Sequence, residues 1–159
     1  MESPEQTTNC YRGRRLDSSG PFVNAVIDTN VIAYFVLGTE RFVNEARGFM
    51  TTLEEAWAPS LWEAELANVL WMATRHQVLT LDDASKRLAL AEGLAIRAVP
   101  VRTLWQGALV RAHRTNIAVY DTLFVELAVR ERLPLVTFDA ALLRVFPNVA
   151  LRPAAATRK

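Results

Sequence analysis

The chain has 159 residues, of which 51% are hydrophobic and 22% charged, and its formal net charge is +1. This length predicts one domain around a single core. The near-neutral charge excludes a strongly basic nucleic-acid coat and an acidic tail, so any polyanion must be met by local clusters of charge. Of the 18 basic residues, 16 are Arg, which suits phosphate recognition, although a GC-rich genome explains this bias more simply.

Cysteine usage and hydropathy exclude further classes. Cys10 is the only cysteine, so the chain has no internal disulfide framework and no cysteine zinc cluster. The N-terminus lacks the apolar core of a secretory signal. No hydrophobic run approaches the ~20 residues that span a bilayer. We therefore expect a cytoplasmic protein with no membrane association.

From Phe22 onward, short apolar strands alternate with amphipathic helices, which is typical of a parallel sheet covered by helices on both faces. The predicted strands are 22–28, 57–58, 99–101, 134–138 and 149–151. The predicted helices are VIAYFVLG up to Gly38, 41–55, 61–76 with Ser60 as N-cap, 81–96 with a capping arrangement of Thr80 and Asp83, 103–114, 119–132 and 140–145. This order predicts a three-layer α/β/α sandwich with a central five-stranded parallel sheet.

Four carboxylates stand where a folding chain would not normally place a charge. Asp28 ends the apolar run FVNAVID and Asp139 ends PLVTFD, whereas Glu65 and Asp121 lie on apolar faces of predicted helices. An ionised carboxylate removed from water costs several kcal/mol or more unless it is paired or binds a metal. Four such residues therefore suggest a shared cation.

The two strand-end acids have a second interpretation. In open parallel sheets, ligands bind beyond the carboxyl ends of the strands, and Asp28 and Asp139 are both expected at that edge. An Asp after a strand also often caps the next helix through its side chain. For either residue taken alone, capping explains the sequence equally well.

The two helical acids also have alternatives. Glu65 and Asp121 both have mostly apolar neighbours three and four positions away, but Glu63 remains a second candidate for the inward acid of its helix. Asp121 near a helix start can simply interact with the helix dipole, which is worth up to about 1 kcal/mol. Glu126, in contrast, is expected to form an exposed ion pair with Arg130.

The donor chemistry favours a hard cation. Clustered carboxylates suit Mg²⁺ or Mn²⁺, whereas zinc prefers His and Cys. His76 and His113 are far apart in sequence, belong to no HExxH pair and are expected at the surface. The chain also lacks a Walker loop, GxGxxG and GxSxG. An acidic metal site is the chemistry that remains.

Four segments carry a family resemblance: VIDTNVIAYF, PSLWEAELANVL, VYDTLFVELA and LVTFDAALLR. Their order and spacing resemble those of the PIN-domain family, in particular the single-domain VapC-type toxins of bacterial toxin–antitoxin pairs, and the resemblance runs from about Val23 to Val149. It implies a PIN-like nuclease domain over 21–152, which we expect between a flexible N-terminal leader, 1–20, and a flexible C-terminal tail, 153–159.

The resemblance also implies an activity, a metal-dependent endoribonuclease that uses Mg²⁺ or Mn²⁺. The catalytic and metal-binding acids would be Asp28, Glu65, Asp121 and Asp139. Their polar supports would be Asn30 and Thr137. The expected partners are an RNA substrate, a small VapB-like antitoxin whose tail blocks the acidic site, and a second copy of the chain in a homodimer.

The sequence departs from the family at two positions. Family members often carry Ser or Thr where Ala118 stands, and often a basic residue where Ala140 stands. The first departure predicts a looser helix cap beside Asp121. The second removes a phosphate contact expected at that position.

Three other functions fit the sequence less well. A PIN-like scaffold that binds RNA or protein without cutting is disfavoured because all four acids are present. A receiver-like phosphoacceptor domain also places aspartates at strand ends, but it needs adjacent acids after the first strand and a lysine after the last, which this chain lacks. A halo-acid-type phosphatase needs a second aspartate where Asn30 stands.

Overall fold

A parallel sheet forms the centre of the molecule. The computed structural model describes residues 22–157, and in these residues five strands pair in the order β3-β2-β1-β4-β5, with every pair parallel. Helices flank the sheet. The predicted three-layer α/β/α sandwich with a five-stranded parallel sheet is therefore confirmed. The predicted leader, 1–20, lies outside the described residues.

The strands are β1 (Val23–Ile27), β2 (Leu53–Pro59), β3 (Arg97–Val99), β4 (Leu135–Val136) and β5 (Ala150–Leu151). The helices are α1 (Thr29–Leu37), α2 (Val43–Met50), α3 (Leu61–Arg75), α4 (Leu81–Glu92), α5 (Val101–Thr115), α6 (Val119–Glu131), α7 (Ala140–Val145) and α8 (Pro153–Ala156). No helix among the described residues is long and apolar enough to cross a membrane.

The core is built around β1 and α6. Ala25, Val26 and Ile27 of β1 are completely buried, as expected for the central strand of a sheet covered on both faces. Helix α6 is buried at every position from Thr122 to Ala128. Both elements are therefore held firmly in the core. Asp28 directly follows β1, and Asp121 lies in the first turn of α6.

Several element boundaries differ from the predictions, and two of the differences have a clear physical reason. β2 begins at Leu53, where a helix was predicted to continue, because Leu53 and Glu55 pair with β1. Sheet pairing thus overrides the local helix propensity of this segment. Helix α4 ends one turn early, before Gly93, which frees Arg97 to begin β3 beside Trp57 of β2.

The predicted caps have mixed outcomes. The Thr80 hydroxyl accepts a hydrogen bond from the Asp83 backbone N–H at 3.1 Å, so this predicted cap is confirmed. Ser60 has a helical backbone conformation and makes no capping hydrogen bond with its side chain, so that prediction was wrong. Helix α3 begins there without side-chain help.

The C-terminal segment is partly ordered against the domain. Residues 153–156, predicted to belong to a flexible tail, form α8, with Pro153 and Ala156 buried. Helix α8 packs on α2, and Arg152 forms an ion pair with Glu45 of α2 at 2.6 Å. This packing between distant segments is not visible in the local pattern.

Helices α5 and α6 are joined by ion pairs to Glu126. The predicted pair of Glu126 with Arg130 is confirmed, but Glu126 itself is only 7% exposed, so its predicted exposure was wrong. Its two carboxylate oxygens accept hydrogen bonds from Nε of Arg111 (2.7 Å) and Nε of Arg130 (2.6 Å). Arg111 lies on α5, 15 residues before Glu126. The helical spacing of three or four residues that predicted Arg130 could therefore not predict Arg111. Gly107 of α5 has no Cβ, which leaves room for the carboxylate.

This packing predicts opposite effects for two helical glycines. A methyl group at Gly107 would overlap the Glu126 carboxylate, so Gly107→Ala should lower the free energy of unfolding by about 1–3 kcal/mol. A methyl group at Gly48 of α2 would meet nothing within 4 Å, so Gly48→Ala should raise it by about 0.5–1 kcal/mol. Urea denaturation of both variants measures the difference, and equal effects would contradict the described α5–α6 packing.

Candidate metal centre

Asp28 stands directly beyond the carboxyl end of the central strand. β1 ends at Ile27, and the Asp28 backbone N–H donates to the carbonyl of Val136 in β4 at 3.0 Å. Its carboxylate Oδ1 accepts from the Asn30 N–H at 3.3 Å, at the start of α1. Asp28 is therefore both a helix cap and a carboxylate fixed between two adjacent strands.

Neutral donors hold the other oxygen of Asp28. The Thr137 hydroxyl donates to Oδ2 at 2.5 Å, and the side-chain amide of Asn30 donates to the same atom at 2.7 Å. Asn30 is itself oriented, because its Oδ1 accepts from the Phe138 N–H at 3.0 Å. Asn30 and Thr137, the two polar supports that the family resemblance implies, therefore both contact Asp28.

Asp139 lies just beyond the next strand, β4. Its Oδ1 accepts from the Leu142 N–H at 2.8 Å, which caps α7. Its own backbone N–H donates to the Thr137 hydroxyl at 2.9 Å, so the hydroxyl touches both strand-end acids. Capping is therefore real at Asp28 and at Asp139. It uses one oxygen of Asp139, and Oδ2 has no hydrogen-bond partner among residues 22–157.

Glu65 is the acid of α3 that turns inward. It is half-buried, and its Oε2 accepts from the Thr29 hydroxyl at 2.5 Å, whereas Glu63 is exposed. Thr29 was missed in the sequence. Thr29 is buried and lies between Asp28 and Asn30 in the sequence. Its position as a polar residue within the VIDTN segment was the feature that could have predicted its role.

Asp121 occupies the first turn of α6. It is half-buried, and no donor among the described residues contacts its side chain. Ala118, the residue just before α6, provides no side-chain cap for the helix, as its identity predicts. Asp121 thus keeps both oxygens available, although its place near a helix start also fits the dipole interpretation.

Burial and mutual repulsion raise the pKa of three of these acids. Burial raises the pKa of Asp28 to about 6, with smaller contributions from the charges of Glu65 and Asp121, against the hydrogen bonds of Thr137 and Asn30. Burial also raises the pKa of Glu65, and the charge of Asp121 adds to it. The pKa of Asp121 is raised by burial and by the charge of Asp139. The four predicted acids therefore form one electrostatic cluster.

The cluster has no cationic partner within the described part of the chain. None of the four ion pairs there includes Asp28, Glu65, Asp121 or Asp139. His76 and His113 are exposed. Oxygen donors with unmet charge fit Mg²⁺ or Mn²⁺ in their chemistry.

The spacing of the cluster is wider than that of a finished ligand set. In residues 22–157, no three His, Cys, Asp or Glu side chains are grouped closely enough to hold an ion as they stand. Like charges repel. In addition, hydrogen bonds from Thr29, Thr137 and the Leu142 N–H occupy one oxygen each of Glu65, Asp28 and Asp139, respectively. The residues fit a divalent cation in type, and binding requires that the carboxylates move toward one another.

The chain is similar to known proteins in sequence and in fold. The sequence matches the PIN domain family over residues 25–146. A toxin–antitoxin complex from Klebsiella pneumoniae contains a similar chain, with a TM-score of 0.58 and 15% identity, covering 81% of this chain and 97% of that one. VapBC2 from Rickettsia felis, bound to a DNA fragment from their promoter, gives a TM-score of 0.58 and 13% identity, covering 81% and 98%.

No curated protein matches the sequence. At 13–15% identity the two structural likenesses support the fold alone. The family match is of a different kind, because it spans most of the chain and includes all four strand-end and helical acids. The chain belongs to the PIN domain family.

Proposed function

We propose that the protein is a metal-dependent endoribonuclease that hydrolyses RNA phosphodiester bonds and serves as the toxin of a VapBC-type toxin–antitoxin pair. The observation that carries the proposal is one electrostatic cluster of four carboxylates without a cationic partner in the described residues. Proteins of the PIN domain family are generally nucleases, and the cluster gives this chain the groups that such chemistry needs.

The chain's own residues would hold the ion and keep its ligands in place. Asp28, Asp121 and Asp139 would bind Mg²⁺ or Mn²⁺, and Glu65 would bind it directly or orient a water. When bound, the ion lowers the pKa of a water and neutralises charge that develops on the phosphate. Thr137 and Thr29 fix one oxygen of Asp28 and one of Glu65, respectively.

The supports are chemically suited to this role. An Arg or Lys beside Asp28 would neutralise the charge that has to attract a cation, whereas Thr137 and Asn30 orient the carboxylate without cancelling it. β1, which ends just before Asp28, and α6, which carries Asp121, are both anchored in the core by a run of buried residues. Sites built on rigid elements keep catalytic groups in position more accurately than sites on loops.

A partner is part of the proposal. The two similar structures are a toxin–antitoxin complex and VapBC2. By analogy, we propose that this chain binds a small VapB-like antitoxin and forms a homodimer. Of the four Trp side chains, Trp62 is buried and Trp57 half-buried, but Trp71 and Trp105 are 52% and 57% exposed. Exposed Trp is enriched at protein interfaces, so these two rings are candidates for partner contacts.

One observation favours a second function. The described residues contain no ready group of three ligands, which is what a PIN-like scaffold that binds RNA or protein without cutting would show. The two functions differ in whether RNA is cleaved when a divalent metal is supplied.

Cleavage should depend on the acids of the cluster. With Mn²⁺ or Mg²⁺, Asp28→Asn and Asp121→Asn should each lower the rate of RNA cleavage by roughly 100-fold or more, because each removes a charge that holds the ion. Glu65→Gln should also lower it, and Glu63→Gln is the matched control, since Glu63 is exposed.

Cleavage of labelled RNA, followed on denaturing gels, measures these rates. Unchanged activity in Asp28→Asn and Asp121→Asn would defeat the catalytic assignment. Wild-type protein that binds RNA tightly but cleaves none with either metal would favour the scaffold.

Metal binding should also show in the pH dependence of stability. Without metal, the pKa of Asp28 is raised from 3.8 to about 6 by burial, so folding favours its protonated form. Its contribution to stability is fully present below about pH 3.8 and is lost as the pH rises through about 6, a change on the order of 3 kcal/mol. Mn²⁺ needs the ionised form, so its stabilising effect should be small at pH 5 and large at pH 7.5.

Urea denaturation with EDTA and with Mn²⁺ measures both effects. Glu45 and Glu126 are paired with Arg and their pKa values are lowered, so they contribute with the opposite sign; the difference between wild type and Asp28→Asn isolates Asp28. A Mn²⁺ effect of equal size at pH 5 and pH 7.5 would contradict the raised pKa.

A further inference from the structure

A cavity between α5 and α6 is rich in arginine. It has a volume of about 370 Å³, and Arg111, Arg114 and Arg130 line it together with Gln106 and the buried Glu126. It lies outside the acidic cluster and contains none of the four acids. The cavity is therefore spatially distinct from the candidate metal centre.

Glu126 fixes the direction of two of these guanidinium groups. It binds Nε of Arg111 and Nε of Arg130 with one oxygen each, and Arg130 Nη1 also donates to the Thr103 carbonyl at 2.5 Å. Within residues 22–157, the Nη atoms of Arg111 and Nη2 of Arg130 have no acceptor. The two side chains remain 31% and 42% exposed, so these donors are available at the cavity.

The cavity also carries excess positive charge. Three Arg side chains against one Glu leave a formal charge of +2 among its lining residues. Arg114 takes part in none of the ion pairs of the described chain. A structural clamp between α5 and α6 needs Arg111 and Arg130, but it does not explain a third Arg at the same cavity. Guanidinium groups held in fixed orientation match the oxygens of a phosphate.

We propose that Arg111, Arg114 and Arg130 bind a backbone phosphate of the RNA, away from the bond that is cut. The proposal rests on the proposed function and adds a substrate contact to it. Glu126 follows Asp121 by five residues on α6, which is roughly 7.5 Å along the helix axis and roughly 140° around it. One RNA strand that passes the acidic cluster can therefore continue around the α5–α6 hairpin to this cavity.

The test uses the Arg that is independent of the clamp. In an Asp28→Asn background, Arg114→Gln should weaken binding of a fluorescein-labelled single-stranded RNA of mixed sequence about three- to tenfold at moderate salt. It should also reduce the slope of log K against log salt concentration by about 0.7, as expected for one lost phosphate contact. Fluorescence anisotropy over a series of NaCl concentrations measures both quantities.

Arg47→Gln in the same background is the matched control. Arg47 is exposed on α2, lines a different cavity with Leu53, and belongs to no ion pair of the described residues. It changes the net charge equally and should alter neither affinity nor salt slope. Thermal melting monitored by circular dichroism verifies that each variant is folded.

Several outcomes would overturn the phosphate site. One is unchanged RNA binding by Arg114→Gln. A second is an equal loss of RNA affinity in Arg114→Gln and Arg47→Gln, because equal losses would reflect net charge alone. A third is unchanged RNA binding together with lost binding of an oligoglutamate peptide, which would assign the cavity to an acidic peptide.

The outcomes also separate this site from the proposed function. If wild-type protein cleaves no RNA while Arg114→Gln weakens RNA binding more than Arg47→Gln does, the nuclease proposal fails and the phosphate site stands. If wild-type protein cleaves RNA and Arg114→Gln changes nothing, the phosphate site alone fails.

Discussion

Burial of neighbouring carboxylates at the carboxyl edge of the sheet, together with their mutual repulsion, is the constraint on which the candidate site depends. Asp28 follows the central strand, Asp121 lies in the first turn of α6, and burial raises the pKa of both. Such charges oppose folding at neutral pH. The deeply buried β1 and α6 hold them together in spite of this cost. A divalent cation would convert the repulsion into attraction, so one set of residues links stability, metal binding and the proposed cleavage.

Glu45 and Glu126 differ from the acids of the proposed site, because both are paired with Arg. Glu45 is paired with Arg152, and the hydrogen bonds from that guanidinium lower its pKa. Burial raises the pKa of Glu126, but hydrogen bonds from Arg111 and Arg130 outweigh it and the pKa is lowered overall. Asp28 and Glu65 instead receive their hydrogen bonds from uncharged groups. Glu45 and Glu126 are thus neutralised by Arg, whereas no ion pair among the described residues cancels the charge of the acids of the proposed site.

Much of this could be predicted from the sequence, because alternating strands and helices determine a parallel sheet and strand ends determine its ligand-binding edge. Asp28 and Asp139 were found in this way. The early start of β2 and the buried pairing of Glu126 with Arg111 depend on contacts between segments distant in sequence, which local spacing does not contain. The same holds for α8 on α2. Thr29 was missed because its partner, Glu65, is 36 residues away.

Anomalous diffraction near the manganese edge from a Mn²⁺-soaked crystal of the protein would show directly whether the four carboxylates form one ion site. We expect an anomalous peak among Asp28, Asp121 and Asp139, with Glu65 beside it, and carboxylate oxygens within about 2.0–2.3 Å of the ion. The same crystals of Asp28→Asn should lose the peak. Carboxylates that remain apart in millimolar Mn²⁺, with no peak between them, would contradict the claim that they form one ion site.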